Sequence, residues 1–232
     1  MAQDEVVVDG LHAVKHAHRF GADLRRVLVD DRARARALAA RLAPDLDGLL
    51  ASADEVGPGP LDALAGPRRS ATGVVALAVR PDDDGRLPTV RASPAVVLEA
   101  PRHAGNVGAV VRTAAAAGAS AVGVSGGLDP WSAACLRGSA GLHWALPVVR
   151  LEDVATAGGP LVALAVDGDL RHPADLPADA VLAVGTEREG LSDAVLDAAD
   201  LRLALPLRPG VASLNVAASV AASLYAWRLG RG

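Results

Sequence analysis

The chain has 232 residues, of which 51% are hydrophobic, and its formal net charge at pH 7 is −4. This length allows one large domain or two small ones, and the apolar content excludes an intrinsically disordered chain. No run approaches the ~20 apolar residues of a membrane span, and the acidic N-terminus lacks the apolar core of a signal peptide. The single cysteine, Cys135, excludes a disulfide framework. We therefore expect a cytoplasmic protein.

The part of the chain before residue 80 alternates between helical and strand-like segments. The predicted elements are a helix over 11–20, a strand over 27–29, a helix over 32–42 and a strand over 73–79. Residues 80–94 contain three prolines and an acidic run without apolar periodicity. We therefore expect a small α/β domain over 1–80, a linker over 81–94 and a second domain over 95–232.

The second domain shows short, wholly apolar strands that alternate with helices. Strands are predicted over 95–98, 119–125, 161–166, 180–184 and 201–205, and helices over 106–117, 132–140, 192–199 and 213–229. Gly118 is expected to end the first of these helices, and Ser192 to cap the third. This alternation predicts a parallel sheet covered on both faces.

The charge distribution restricts any nucleic-acid surface to local patches, because an RNA-binding protein usually carries a basic footprint and this chain is acidic overall. Arginines cluster before residue 70. The candidate RNA contacts there are Arg32, Arg34, Arg36, Arg68 and Arg69. Lys15 is the only lysine. A GC-rich genome therefore explains the preference for arginine as well as a need for phosphate contacts does.

The histidines do not form a ligand set for a metal. No carboxylate or cysteine completes such a set around them, so we interpret them as surface or RNA-facing residues and expect no metal site. The residues concerned are His12, His16, His18, His103 and His143.

A first motif, Gly105-Asn106-Val107-Gly108 followed by Arg112-Thr113-Ala114, lies where a predicted strand leads into a helix. Asn106 is placed to cap that helix, and Arg112 can reach back toward the strand ends. The glycine spacing does not fit G-x-G-x-x-G, which disfavours a nicotinamide or flavin site. Alone, the motif is explained at least as well by an ordinary cap and a surface arginine.

Two further motifs follow predicted strands, and ligands of open α/β sheets bind beyond the carboxyl ends of strands. The second runs from Val184 to Ser192 and contains Glu187; a turn with solvated acids is the alternative. The third, Leu205–Val216, is a proline-glycine turn that brings Ser213 and Asn215 to a helix start, where unpaired backbone N–H groups gather. Simple capping is the alternative there.

The three motifs in order, N-x-G-x-x-x-R-T-A, V-G-x-E-x-x-G-L-S and L-P-x-x-x-G-V-x-S-L-N-V-A, resemble the signature motifs of the SpoU (TrmH-like) branch of the SPOUT methyltransferases. The resemblance covers about residues 93–232 and includes Ser139-Ala140-Gly141. The part from Asp9-Gly10 to Gly73-Val74-Val75-Ala76 resembles the L30e-like substrate-binding domain of the same enzymes.

The resemblance implies an α/β fold with a deep C-terminal trefoil knot, a topology nearly absent from other proteins. It implies methylation of a ribose 2′-hydroxyl in RNA, with S-adenosylmethionine as donor, by a homodimer whose active site draws on both subunits. The L30e-like domain favours ribosomal RNA; transfer RNA and a non-catalytic RNA-binding role are the alternatives. Matched by motif, the donor-binding positions are Val184, Gly185, Thr186, Leu205, Pro206, Leu207, Leu214 and Val216.

The catalytic positions implied by the resemblance are Asn106, Arg112, Glu187, Ser213 and Asn215. Because a neutral guanidine is costly at pH 7, we favour for Arg112 a role in gripping the RNA phosphate and stabilising alkoxide charge over a role as general base. The sequence departs from the family pattern in three places. The family usually has a proline shortly before the asparagine, whereas here His103-Ala104-Gly105 intervene and Pro101 lies further back. Arg188 stands where the family often has glycine, and Leu207 where it often has methionine.

Overall fold

The computed structural model describes residues 4–169, 172–186 and 189–231. The chain divides into two compact units: unit 1 consists of Met1–Asp82 and Trp131–Ala145, and unit 2 of Asp83–Pro130 and Leu146–Gly232. The division expected from sequence places 95–232 in one domain, whereas residues 131–145 group with unit 1 in the structure.

Helices and strands alternate along most of the chain. In chain order, the elements are β1 (Glu5–Asp9), α1 (Leu11–Arg19), β2 (Leu24–Val29), α2 (Arg32–Leu42), α3 (Asp47–Ala51), β3 (Asp54–Glu55), α4 (Pro58–Ala65), β4 (Val74–Val79), β5 (Ala95–Leu98), α5 (Ala104–Ala117), β6 (Val122–Ser125), α6 (Ala133–Gly138), β7 (Val148–Leu151), β8 (Leu161–Asp169), β9 (Val181–Val184), α7 (Asp193–Ala198), β10 (Leu201–Leu203) and α8 (Val216–Leu229).

Unit 1 is built on a four-stranded sheet in the order β1-β4-β2-β3. The central strand β4 pairs antiparallel with β1 and β2, and β3 is a two-residue edge strand parallel to β2. Successive side chains of a strand point to opposite faces. Accordingly Val74, Ala76 and Ala78 pack in the larger cluster with α1 and α2, and Val75 and Leu77 pack with α4 on the other face. The sequence patterns did not predict β1, α3, β3 or α4.

The segment 131–145 joins unit 1 through its Ser139-Ala140-Gly141 element. Ser139 is fully buried, and its hydroxyl lies 2.7 Å from Nδ1 of His143. The carbonyl oxygen of Ala140 lies 2.8 Å from Nδ1 of His16 in α1. Gly141 has a φ of +77°, and a Cβ there would overlap the backbone of Ala13. The surface role expected for His143 is therefore wrong, because this histidine is buried by the packing of the segment.

An aromatic cluster completes the packing of this segment. The Trp131 ring, only 2% exposed, lies edge-on to Trp144 with 5.2 Å between ring centroids and 5.0 Å from the His143 ring. The Arg80 guanidinium lies 5.9 Å from the Trp131 centroid. Aromatic pairs in such arrangements add stabilisation beyond the area that they bury.

Replacing Trp131 with alanine is expected to destabilise unit 1 by about 3–5 kcal/mol, because it empties a buried indole site. Trp131→Phe, which keeps an aromatic ring, is the matched control and should cost less than half as much. Urea unfolding, monitored by amide exchange in β1 and β4, measures the change in the free energy of unfolding. An alanine variant as stable as wild type would show that the segment is not part of the core of unit 1.

Unit 2 contains a six-stranded sheet in the order β10-β8-β9-β5-β6-β7, and every neighbouring pair is parallel. The expected parallel sheet is thus confirmed. From β5 the chain builds outward through β6 and β7, crosses to β8, and then inserts β9 between β8 and β5. The strand order therefore reverses beside β5, which is where open α/β sheets place their ligands.

Two helix starts differ from expectation. The helix α5 begins at Ala104 with His103 at its N-cap position, so Asn106 lies inside its first turn and does not cap it. The helix α8 begins at Val216 and is capped by Asn215, whose Oδ1 accepts a 2.9 Å hydrogen bond from the amide of Ala217. Ser213 precedes that cap.

Two helix ends match expectation. Gly118 ends α5 in the left-handed conformation with a φ of +74°, and Ser192 caps α7 by accepting a hydrogen bond from the amide of Val195. Within the described ranges, no helix combines the length and apolar character needed to cross a membrane.

Candidate active site

The carboxyl-terminal half of β8 and the loops after β5, β9 and β10 form the candidate site in unit 2, and these loops contain or adjoin the three motifs. A cleft of about 480 Å³ opens between β8, the loops after β9 and β10, and the start of α8, within the ~300–1,000 Å³ typical of small-molecule sites. Its described lining includes Val184, Gly185, Thr186, Leu205, Leu207, Ser213, Leu214 and Val216.

The loop after β9 is closed on itself. Thr186 and Gly190 exchange backbone hydrogen bonds of 3.1 and 3.0 Å, and the Thr186 hydroxyl accepts a 3.1 Å hydrogen bond from the amide of Glu189. Gly185 precedes this closure, and a Cβ on it would overlap the backbone of Gly190. The expected catalytic residue Glu187, and its neighbour Arg188, lie outside the described residues.

The loop after β10 supplies the opposite wall. Leu205 and Leu207 line the cleft, whereas Pro206 between them does not. The chain then turns at Arg208–Val211, where the amide of Val211 donates to the carbonyl of Arg208 at 3.0 Å. Leu214, on the cleft side of this loop, keeps 43% of its surface exposed. An apolar side chain that remains exposed in a cleft offers contact area to a ligand.

The two expected catalytic asparagines lie next to each other. Nδ2 of Asn215 is 3.5 Å from Oδ1 of Asn106, so the start of α8 meets the first turn of α5. Ser213, two residues before Asn215, lines the cleft. The structure therefore brings together polar groups of the first and third motifs at the mouth of the cleft.

Arg112 is placed differently from these residues. It lies six residues after Asn106 on α5, which corresponds to about 240° around the helix axis, so the two side chains leave the helix in different directions. Arg112 is exposed, and its guanidinium makes no hydrogen bond or ion pair with the residues that the structure describes. It is therefore available to an anionic group outside its own chain.

The charge of the cleft restricts its ligand. Among its described lining residues, the charged side chains are Asp167 and Glu189, both acidic, and the rest are apolar or small polar residues. Phosphate groups are bound in proteins by basic side chains or helix N-termini. The cleft reaches the N-terminus of α8, but its described lining contains no basic side chain, so it fits a ligand without phosphate better than one that carries several phosphates. The described residues also contain no group of three or more potential metal ligands.

The candidate RNA-contacting arginines of unit 1 are mostly engaged by other groups. Arg34 pairs with Asp30 and Arg36 with Asp47, each at 2.8 Å, and Arg69 pairs with Asp62 at 2.6 Å. The hydrogen bonds from Arg36 lower the pKa of the Asp47 carboxyl. Two further arginines complete the set: Arg32 donates to the carbonyl of Ala53 at 2.8 Å, and the Arg68 guanidinium is exposed and unpaired within the described ranges.

Sequence reasoning missed four residues at the site, Glu99, Arg102, Asp167 and Glu189. Glu99 directly follows β5, and Asp167 lies near the end of β8, so their positions at strand ends carried a usable signal. Arg102 and Glu189 form an ion pair 87 residues apart in the chain, which no local pattern encodes.

Comparison with known proteins agrees with the motifs. Residues 93–225 match the model of the SpoU rRNA Methylase family. The 23S rRNA (uridine(2479)-2′-O)-methyltransferase of Streptomyces viridochromogenes is 32% identical over 167 residues, which cover 66% of this chain and 58% of the relative. The 23S rRNA (guanosine(2553)-2′-O)-methyltransferase RlmP of Bacillus subtilis (strain 168) is 27% identical over 228 residues, which cover 94% and 86%.

These comparisons differ in extent. The match spans about three fifths of the length of the Streptomyces relative and of a Synechocystis relative. Among solved structures, the SpoU methyltransferase AviRb from Streptomyces viridochromogenes, in complex with AdoMet, superposes with a TM-score of 0.78 at 27% identity. That superposition covers 98% of this chain and 91% of AviRb. The α/β fold with its parallel sheet is thus the fold of solved SpoU methyltransferases.

Proposed function

Because the chain belongs to the SpoU rRNA methylase family, we propose that it transfers a methyl group from S-adenosylmethionine to a ribose 2′-hydroxyl of RNA, and of 23S ribosomal RNA in particular. The observation that carries the proposal is the mostly apolar cleft, whose described lining contains Asp167 and Glu189 but no basic side chain, beside the paired Asn106 and Asn215. The named activities of the Streptomyces and Bacillus relatives, and the AdoMet bound by AviRb, support it.

The residues of the cleft fit the proposed donor. S-adenosylmethionine carries a positive sulfonium, an ammonium group and one carboxylate but no phosphate. Its net positive charge suits a cleft whose described charged residues are Asp167 and Glu189. When bound, the donor supplies a methyl group that is already activated by the sulfonium. The protein then has to hold the two reactants in line and assist loss of the hydroxyl proton. Val184, Gly185, Thr186, Leu205, Pro206, Leu207, Leu214 and Val216 are the proposed donor-binding residues.

The polar residues of the three motifs receive roles in the same proposal. Asn106 and Asn215 orient the ribose, and Ser213 hydrogen-bonds the RNA. Arg112 binds an RNA phosphate and stabilises charge that develops on the ribose oxygen, a role supported by its exposed guanidinium. The role of Glu187 in holding the loop after β9 is proposed from the motif alone.

A homodimer is part of the proposal. The direction of Arg112, away from Asn106 on its own helix, supports an active site that joins Arg112 of one chain to the cleft of a second copy.

The same proposal includes the deep trefoil knot of the C-terminal part and a cytoplasmic location. The match of residues 93–225 to the SpoU rRNA Methylase family supports the knot.

Unit 1 is proposed to bind the substrate RNA as an L30e-like domain. Its mixed sheet, covered by helices on both faces, supports that assignment. Since Arg34, Arg36 and Arg69 are engaged by carboxylates, the RNA contacts proposed for them require exchange of an acid for a phosphate. Arg68 and Arg112 need no such exchange. Ribosomal RNA is preferred to transfer RNA because the named relatives act on 23S rRNA.

A methyl-transfer assay tests the proposal. The protein is incubated with labelled S-adenosylmethionine and either ribosomal or transfer RNA from a methylation-deficient strain, and the product is mapped by primer extension at low nucleotide concentration. We expect label in 23S rRNA and a stop that marks a ribose methyl. Label in tRNA alone would identify tRNA instead of rRNA as the substrate. A methylated base would contradict the ribose target, and absence of label from every RNA would refute the activity.

A further inference from the structure

The loop after β5 and the loop after β9 are neighbours because their strands pair in parallel, with Leu98 opposite Val184. The amide of Glu99 extends this ladder by one hydrogen bond, 2.9 Å to the carbonyl of Val184. Beyond that point the two loops are joined by side chains. The loop after β5 leads into α5, which carries Asn106 and Arg112, and the loop after β9 forms one wall of the cleft.

The first side-chain connection fixes the far end of the loop after β9. The Glu99 carboxylate accepts hydrogen bonds from the amide and the hydroxyl of Ser192, at 2.8 and 2.6 Å. Ser192 is also the N-cap of α7. One carboxylate therefore determines where the loop ends and the helix begins, through charge-assisted hydrogen bonds that are stronger than neutral ones.

The second connection fixes the tip of the same loop. Nη2 of Arg102 donates to both carboxylate oxygens of Glu189, at 2.6 and 2.8 Å, and Glu189 lines the cleft. The space enclosed between the two loops is only about 10 Å³, barely enough for one water molecule. The loops are thus packed against each other, and this ion pair closes the seam between them.

We infer that Glu99 and Arg102 are positioning residues for the donor cleft: through Ser192 and Glu189 they hold the loop after β9 in the shape that binds the donor. The inference rests on the proposed function for the identity of the ligand. Both members of the Arg102–Glu189 pair are more than half exposed, at 57% and 66%. Loss of the pair should therefore lower the affinity for the donor only a few-fold. Its exposure also makes an RNA contact the competing role for Arg102.

Donor affinity measured in the absence of RNA separates the two roles. Arg102→Ala is expected to raise the dissociation constant of S-adenosylmethionine about three- to fivefold, the size of an exposed ion pair, with kcat at saturating donor within about twofold of wild type. Arg102→Glu should weaken donor binding further. The double variant Arg102→Glu with Glu189→Arg restores the ion pair but places a cation in the lining of the cleft, so its effect on the loop is measured by amide exchange rather than by donor affinity. Titration calorimetry without RNA measures the constant. Glu99→Gln should raise it by at least as much as Arg102→Ala.

The control removes an equally exposed, ion-paired arginine from unit 1. Arg25 pairs with Asp23 at 2.9 Å with side chains 59% and 55% exposed, and Arg25→Ala should leave donor affinity unchanged. If Arg102→Ala raised the KM for RNA with donor affinity unchanged, the positioning role would be overturned.

Amide exchange makes the test independent of the proposed function. The Arg102→Ala and Glu99→Gln variants should exchange the amides of Thr186 and Glu189–Ser192 faster than wild type, and the charge-exchanged pair should return the Arg102 effect to the wild-type rate. A wild-type protein that bound no donor would refute the proposed function. The exchange rates would still decide whether the two connections hold the loop, since unchanged rates in both variants would refute them.

Discussion

A Gly185→Ala variant is expected to lose at least about 100-fold in affinity for S-adenosylmethionine, equivalent to about 2.7 kcal/mol. The added Cβ would lie well inside the 3.0 Å limit of real Cβ contacts, against the backbone carbonyl of Gly190 and the amide of Leu191. Backbone atoms cannot rotate away as a side chain can, so the loop after β9 has to open. The wall of the cleft moves with it. Titration calorimetry with the donor alone measures the loss.

Gly190→Ala is the matched control within the same loop. Gly190 has a φ of +69°, but a Cβ there would meet no atom within 4 Å. This variant should lose about 1–2 kcal/mol of stability through backbone strain and keep most of its donor affinity. Equal loss of affinity in both variants would attribute the effect to general loosening of the loop. Wild-type affinity in Gly185→Ala would show that the donor binds elsewhere.

Arg112→Ala is expected to lower the rate of methyl transfer about 10²- to 10³-fold, the usual loss when one stabilising donor is removed from a reacting oxyanion. Because the guanidinium is exposed and has no partner among the described residues, its removal leaves no buried group unpaired. The free energy of unfolding should therefore change by less than about 0.5 kcal/mol, and donor affinity should remain. Single-turnover kinetics at saturating donor isolate the chemical step.

Arg112→Lys distinguishes the possible roles of this residue. Lysine keeps the positive charge but lacks the planar fork of arginine. If Arg112 binds phosphate and stabilises charge, lysine should recover about tenfold of the activity lost in the alanine variant. A general base would instead give the lysine variant a pH–rate profile displaced toward the pKa of an amine. An alanine variant with wild-type rate would remove Arg112 from the reaction altogether.

The sequence was most informative where ligand chemistry and chain order coincide. The motifs around Asn106, Gly185 and Asn215 follow predicted strands, and the carboxyl ends of parallel strands meet at one edge. These two facts predict a common site without the strand order. Seven of the eight donor-binding positions named by motif line the cleft, and Pro206 is the exception.

The features that sequence could not predict depend on distant partners. The local sequence pattern predicts that Arg36 and Arg69 are free cations. In the fold, neighbouring elements supply their carboxylate partners, Asp47 and Asp62. Helix caps were misassigned for a related reason. Asn106 and Ser213 are both good capping residues, and the approach of the preceding loop decides which position starts the helix. Periodicity also carries no information on the insertion of β9 between β5 and β8.

The division of unit 1 between Met1–Asp82 and Trp131–Ala145 has a consequence for how the protein is made. Domains usually fold as units during synthesis, the N-terminal one first. Here the ribosome must translate β5, α5 and β6 before it supplies residues 131–145, which pack on the first unit. Until then, the nascent N-terminal part exposes the apolar surface that residues 131–145 later cover, and this segment is encoded within the sequence of unit 2. A gene fragment cut at the linker would lack that segment, so the two units cannot be exchanged between proteins at this point as independent modules.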